Sequence, residues 1–441
     1  MRLTPRALAT CAALAGVVGC TSNTASDAST DAATDAPDDL ADGDQLPDVV
    51  RDVVVLPDGE VTPPRPQPGR HTVTIVDTRR VVPSASLPPE TRPLNSNNNL
   101  DVVRHTDGRV YLVWRTAPDH YASPDAVMYA ISSTDETTWR YESRFSLATD
   151  LREPRLLSWN NELFLYVARL GTNRLSFDPM GMSFSRRAAD GSWSALAEFY
   201  RPGFIGWRAR VERGTPYLVA YLGGEHIYRF DNIPLDVELL TTSDGMTWRG
   251  VNAAMPVVAH GGGSETDFTI GDDGTLFAVT RNEAGDDTGW GSNVCRAPAG
   301  DITRWRCHND PRKFDSPYMF WHDGEAYLIA RRNVSFTGNY DLMRRGIDRT
   351  AQTVMYQLDY RNRPKRCSLW RYDQATDAIV FMLDLPSRGD TCFPAVISSA
   401  VPGEFAVYNY SSDIDGPDVP WGTGQEGPTF IYRSLLRFTP R

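Results

Sequence analysis

SETDFTIGDDGTLFAVTR, residues 264–281, reads as two short antiparallel strands. Residues 266–270 alternate polar and apolar side chains, and residues 275–280 are β-prone. Gly271-Asp272-Asp273-Gly274 between them is turn chemistry, because Asp and Gly tolerate the left-handed backbone that tight hairpins need. A hairpin returns the chain to where it began, so Glu265 and Arg281 share one edge. The hairpin recurs. Its second strands are GRVYLVWR ending at Arg115, ELFLYVAR at Arg169, GTPYLVAY at Tyr221, GTLFAVTR at Arg281, GEAYLIAR at Arg331 and GEFAVYNY at Tyr410. The spacing of roughly 50–60 residues, stretching to about 80 before the last, is the period of a four-stranded propeller blade. Helical patterning is nearly absent. The expected fold is all-β, a six-bladed β-propeller closed around an axis. The last unit ends in TFIYRSLLRF without an outer strand, and HTVTIVDTRRVV, residues 71–82, is a strand-like segment without a sequence neighbour. Pairing the two closes the ring and places the folded domain at residues 70–441.

Residues 1–20 stand apart. Arg2 and Arg6 precede an apolar run that ends in Val17-Val18-Gly19-Cys20 and is too short to span a membrane as a mature helix. This resembles a bacterial lipoprotein signal, which implies cleavage before Cys20, lipidation of its thiol and attachment to the cell envelope through the lipid alone. Thr21 and Ser22 put no Asp after the anchor, which favours the outer membrane by analogy with enteric bacteria. Residues 21–69 hold eleven acidic residues against Arg51 and Arg65, most of the chain's net charge of −11. Rich in Asp, Ala, Thr and Pro, this segment cannot bury enough apolar surface to order itself and reads as an extended tether. The remainder is close to neutral, which argues against a nucleic-acid partner. No sequence feature calls for an oligomer, so a monomer is expected.

Four cysteines follow the anchor. Their even number in an exported chain points to disulfides, and proximity favours Cys295–Cys307 and Cys367–Cys392 among three connectivities. No CxxC or clustered-histidine spacing suggests a metal, and no motif suggests a cofactor.

Hairpins that start and end on one face gather their first and last residues around the axis. The first strands begin with Asn98-Asn99-Leu100-Asp101, Arg152-Glu153-Pro154, Trp207-Arg208, Ser264-Glu265, Asp315-Ser316 and Cys392-Phe393. Arg115, Arg169, Arg281 and Arg331 end four of the second strands. Candidate binding residues are therefore these arginines with Arg152, Glu153, Arg208, Asp101 and Asp315, converging in one funnel. Of 45 basic residues only Lys313 and Lys365 are lysine, so arginine is the default cation, and arginine–carboxylate pairing between blades with no ligand is the competing reading.

Ser243-Asp244-Gly245-Met246-Thr247-Trp248 resembles the Asp box of sialidases, S-x-D-x-G-x-T-W, one residue short. Residues 133–139 are a looser copy, and residues 190–193 and 301–305 are eroded ones. The Asp caps a turn and the Trp packs between strands, a structural role. On these motifs the folded region resembles the sialidase superfamily, six-bladed propellers that act on or bind glycans. The resemblance implies that Glu265 activates a nucleophile, that Arg281 and Arg331 (or Arg332) bind a sugar carboxylate, and that Asp119, or Asp125, is the acid. Two departures stand out. Asn98 to Asp101 replace the R-x-P motif of the first hairpin, and Phe393 stands where a tyrosine nucleophile is expected, leaving Tyr410 as its substitute. The resulting expectation is an exo-acting glycoside hydrolase on an anionic or terminal sugar. Its alternatives are a non-catalytic glycan- or protein-binding propeller and a five-bladed furanosidase-like hydrolase, the latter because LREPRLL resembles that family's R-D-P motif.

Overall fold

The computed structural model describes residues 67–229 and 231–441. The lipoprotein-like signal, Cys20 and the tether up to residue 66 lie outside the described residues. Six separate antiparallel sheets form the fold. Blades 1 to 5 span residues 96–145, 150–200, 205–261, 263–310 and 315–384, and each runs from its inner strand outward in chain order. Blade 3 has a fifth strand, Val257–Gly261, on its third. Six sheets exclude the five-bladed arrangement. Blade 6 is assembled from both ends of the described chain. Its inner strands are Ala395–Ser398 and Glu404–Ser411, its third is Phe430–Pro440, and its outermost is His71–Val82, with His71 opposite Pro440 and Val82 opposite Ile431. The amino-proximal strand completes blade 6 and ties both ends of the described chain into one sheet, leaving each blade only a short outermost edge.

The core lies between neighbouring blades, because each sheet alternates its side chains onto two faces and a different blade covers each. Phe277, Val279 and Val294 of blade 4, for example, pack with Met319, Leu328 and Trp370 of blade 5. The Ser243–Trp248 turn adds a polar tie. Asp244 accepts hydrogen bonds from the amides of Thr247 (2.6 Å) and Met246 (2.8 Å), while Tyr166 of blade 2 donates to the Gly245 carbonyl at 2.6 Å. Trp248 meets the same Tyr166 edge-on, 5.8 Å between ring centres.

Helix α1, Arg349–Arg361, departs from the expected absence of helix. It lies in the insertion between the second and third strands of blade 5, capped by Asp348, whose side chain accepts from the Ala351 amide at 3.0 Å. Its buried face is polar and aromatic (Gln352, Thr353, Tyr356, Gln357, Tyr360), which hides it from a search for apolar periodicity. No helix among the described residues is long and apolar enough to cross a membrane.

Both disulfides have the expected partners. Cys295 and Cys307 face each other across the outer strands of blade 4, and Cys367–Cys392 ties the third strand of blade 5 to the segment leading into blade 6. Such bonds persist in oxidising compartments outside the cytoplasm. Replacing Cys367 and Cys392 together by serine opens a 25-residue loop and should lower the unfolding free energy by about 3 kcal/mol, measured by guanidinium denaturation. An unchanged midpoint would mean that the bond constrains nothing the two blades do not already fix.

Candidate functional site

Five inner strands carry a bulge at the same register. The extra residues are Asn99 in blade 1, 153–154 in blade 2, Trp207 in blade 3, 264–265 in blade 4 and 316–317 in blade 5. These are the strand starts singled out in the sequence. A bulge adds one residue against the partner strand and re-aims its side chain. Asn99, Glu153 and Ser316 adopt the left-handed region there (φ 42°, 50° and 51°), a conformation that side chains other than glycine rarely hold without support from their surroundings.

Glu265 accepts from Arg281 at 2.9 Å and from the Ser316 amide at 2.6 Å. Arg281 also meets Glu283 at 3.1 Å and Asp315 at 3.8 Å. Asp315 receives Arg331 at 3.1 Å and the Tyr360 hydroxyl at 2.5 Å, and Lys313 bonds Glu283 at 2.6 Å. Arg331 continues to the Tyr410 hydroxyl at 3.4 Å, and Tyr410 donates to Asp390 at 3.0 Å. Asp390 also takes a proton donor from Trp421 (3.0 Å) and His120 (2.6 Å). The His120 carbonyl accepts from Arg152, which pairs with Asp150 at 2.5 Å, and Asp150 pairs with Arg115 at 2.8 Å. One chain of charged hydrogen bonds therefore links blades 4, 5, 6, 1 and 2.

Burial sets the electrostatics. It raises the Glu265 carboxyl above its ordinary range, against the pull of Arg281. It pushes Glu153 up to about 7, and the field of Glu265 adds to the rise while Arg155 opposes it. Glu153 accepts from Asn99 at 3.1 Å, and its Oε2 has no hydrogen-bond partner. The side chains of Glu153 and Glu265 keep 13% and 12% of their surface open, whereas Arg281 and Arg331 keep 7% and Asp315 1%. Burial would raise Asp315 too, but Lys313, Arg331 and Arg281 hold it below the ordinary carboxylate range. Tyr410 is raised well above the usual phenol, by burial and then by Asp390.

Arg115, Arg281, Arg331, Arg152, Glu153, Glu265, Asp315 and Tyr410 thus come together. Others do not. Arg169 turns to Glu198 on the outer strand of its own blade at 2.7 Å, and Arg332 pairs with Asp384 at 2.6 Å, because neighbouring positions of a strand face opposite ways. Arg208 and Asp101 meet at 3.4 Å inside the axial shaft, buried among strands rather than at the funnel. Asp119 pairs with Arg174 at 2.5 Å, and its carbonyl accepts from Arg115. The backbone amide of Asp125 is tied to the Ser123 hydroxyl. Phe393 faces the axis against Trp207, 5.4 Å between ring centres. Sequence reasoning missed Asp150, Glu283, Lys313, Tyr360, Asp390, His120 and Trp421. Glu283 and Lys313, each two residues from a chosen position, were recoverable from strand alternation; Asp390, His120, Tyr360 and Trp421 lie on irregular or inserted segments.

No protein-family model and no curated protein matches the sequence. Solved structures do share the fold. A protein of unknown function from Dyadobacter fermentans is 14% identical with a TM-score of 0.54, covering 83% of this chain and 99% of that one. Trypanosoma rangeli sialidase in complex with 2,3-difluorosialic acid is 15% identical with a TM-score of 0.50, covering 82% of this chain and 59% of that one. This chain thus spans about three-fifths of the sialidase's length, and the fold is a sialidase-like six-bladed propeller.

Glu153 offers a direct check of this electrostatic arrangement. With its folded pKa at about 7 against an ordinary 4.5, the folded state keeps a proton that the unfolded state releases. The stabilisation is complete below pH 4.5 and lost as pH rises through 7. Between pH 4.5 and 7.5 the wild type should lose up to about 3 kcal/mol more stability than Glu153→Gln, followed by urea denaturation. Parallel curves for the two proteins would remove the shift.

Proposed function

We propose that this chain is an exported, glycan-active propeller that removes a terminal sugar as an exo-acting glycoside hydrolase. The observation that carries the reading is the pair of buried, partly open carboxyl groups, Glu153 and Glu265, at the funnel end of the axis. Hydrolysis of a glycosidic bond needs one carboxyl that holds a proton near neutral pH and one that accepts a proton. Glu153, at about 7, is suited to the first role and Glu265 to the second. In the proposed step the Glu153 proton goes to the leaving glycosidic oxygen as its bond to the anomeric carbon breaks. Water adds to that carbon and gives its proton to Glu265. Asp119, the acid implied by family resemblance, is paired with Arg174 and is the weaker choice. Arg281 and Arg331 both approach the protein's own Asp315, so the clamp that would hold a sugar carboxylate already contains one. The reading therefore favours a terminal sugar recognised without its carboxylate.

A second reading, a non-catalytic glycan-binding propeller, is favoured by one observation. Tyr410 donates to Asp390 with its phenol raised, and Phe393 has no hydroxyl, so neither of the two positions suggested by the family resemblance offers a free tyrosine nucleophile.

Release of p-nitrophenol from a panel of aryl glycosides separates the two. Glu153→Gln and Glu265→Gln should each lower kcat/KM by about 10²–10⁴, and the former should abolish the alkaline limb near pH 7. Binding on a glycan array with no turnover of any glycoside would establish the binding module instead. The anchor has its own test. Cys20→Ser should move the protein from the membrane fraction to the soluble one, and retention in the membrane would exclude lipidation of Cys20 as the tie.

A further inference from the structure

Below the funnel, the axis contains a cation whose nitrogens find no hydrogen-bond acceptor among the described residues, although Asp101, Glu153 and Asp267 lie in its field. Arg155 follows the bulge of blade 2, and its side chain is wholly buried. Its guanidinium carbon lies 4.7 Å from the Trp207 ring centre of blade 3 and 4.5 Å from that of Phe393 at the start of blade 6. Nε, Nη1 and Nη2 all lack a hydrogen-bond partner, as does the indole Nε1 of Trp207 beside it. The Glu153 carboxylate approaches no nearer than 3.8 Å, from Oε2 to Nη2, too far for a hydrogen bond.

The other axial carboxylates are engaged. Asp101 takes Arg208 on one oxygen and the Leu156 amide on the other. Asp267 takes Arg208, Arg210 and the amides of Phe268 and Met319. Neither can turn to Arg155 without abandoning a buried partner. The large majority of buried polar side-chain groups in native proteins have a partner, and an unpartnered buried guanidinium is costly.

We infer that the axis holds a small monovalent anion of the halide class against the unpartnered nitrogens of Arg155, whose guanidinium itself lies over the Trp207 and Phe393 rings. The unpartnered groups, Arg155 Nε, Nη1 and Nη2 with Trp207 Nε1, are all donors, and an anion only accepts, whereas a water must also find acceptors for its own two protons. Complete burial of Arg155 favours a small, weakly hydrated ion over phosphate or sulfate. Glu153 is the competitor. It faces Asn99, Arg152, Arg155, Glu265 and Arg281, and when ionised it neutralises Arg155 itself. Occupancy should therefore rise as Glu153 takes up its proton, below pH 7.

Crystals of the protein grown in sodium bromide at pH 5.5 should show an anomalous peak within contact of Arg155 that is absent from Arg155→Met. In solution, chloride should raise Tm over gluconate at equal ionic strength, by an amount that grows with the logarithm of chloride concentration at pH 5.5 and vanishes at pH 8.5. Density at Arg155 with no anomalous signal, meaning ordered water, would overturn the inference, and so would a chloride effect that persists unchanged in Arg155→Met. If that variant does not fold, the wild-type bromide map decides alone. None of these readouts depends on turnover, so their failure leaves the proposed hydrolysis standing, and the reverse holds too.

Discussion

Arg208 fastens the ring. From the inner strand of blade 3 its guanidinium reaches Asp101 of blade 1 at 3.4 Å, Asp267 of blade 4 at 3.1 Å and the Pro317 carbonyl of blade 5 at 3.3 Å. A propeller's blades touch their neighbours through apolar faces, but blades 1 and 4 are not neighbours. Only a group on the axis can bind them together, and it must be long, multivalent and permanently charged. The planar fork of arginine meets those demands, whereas an ammonium concentrates its charge on a single nitrogen. Arg210 repeats the arrangement one step along the strand, reaching Asp267 at 2.8 Å and the carbonyls of Phe268 and Met319.

The funnel inherits its form from this shaft. Because charged residues already fill the axis, the side chains that the bulges turn inward above it join a network of alternating sign. Each arginine at the funnel has a resident carboxylate, which is the pairing weighed against a ligand site from the sequence. That pairing is incomplete in one respect. Glu153 and Glu265 retain open surface and raised carboxyls, whereas Asp315, with three cations around it, does not. The distinction separates the groups that hold the site together from those that can meet a solute.

Most of the fold was legible in the sequence because period and turn chemistry are local. The six second strands, the strand starts and the closing role of residues 71–82 each depend on patterns within about ten residues. The site was legible only as far as register carries. Glu265, Arg281 and Arg331 follow from repeat position, but in blade 2 Ala168, opposite Arg152, holds the place of Arg115 and Arg331, so Arg169 lies one position further on, faces the other way and pairs with Glu198. Asp390 and His120 meet at 2.6 Å across 270 residues, and neither lies in a repeated motif. Helix α1 escaped because its inward face uses tyrosine and glutamine in place of leucine.

That helix explains the two lysines. Lys313 and Lys365, the sole lysines of the chain, each place Nζ 3.8 Å from the centre of the Tyr360 ring. A compact ammonium or amine fits against one ring where two guanidinium planes would crowd each other. Burial, with Lys313 and Arg331 close by, pushes Lys365 down to about 6, while three acceptors, Asn333 at 3.1 Å, the Arg363 carbonyl at 2.9 Å and the Tyr360 carbonyl, match the three donors of its ammonium. Tyr360 in turn caps Asp315. The insertion thus seals the blade 5 side of the funnel over Asp315 and the arginines that approach it. What stays open lies toward blades 1, 2 and 4, where Glu153, Glu265, Arg152 and His120 are partly exposed, and a solute entering the funnel meets those groups first.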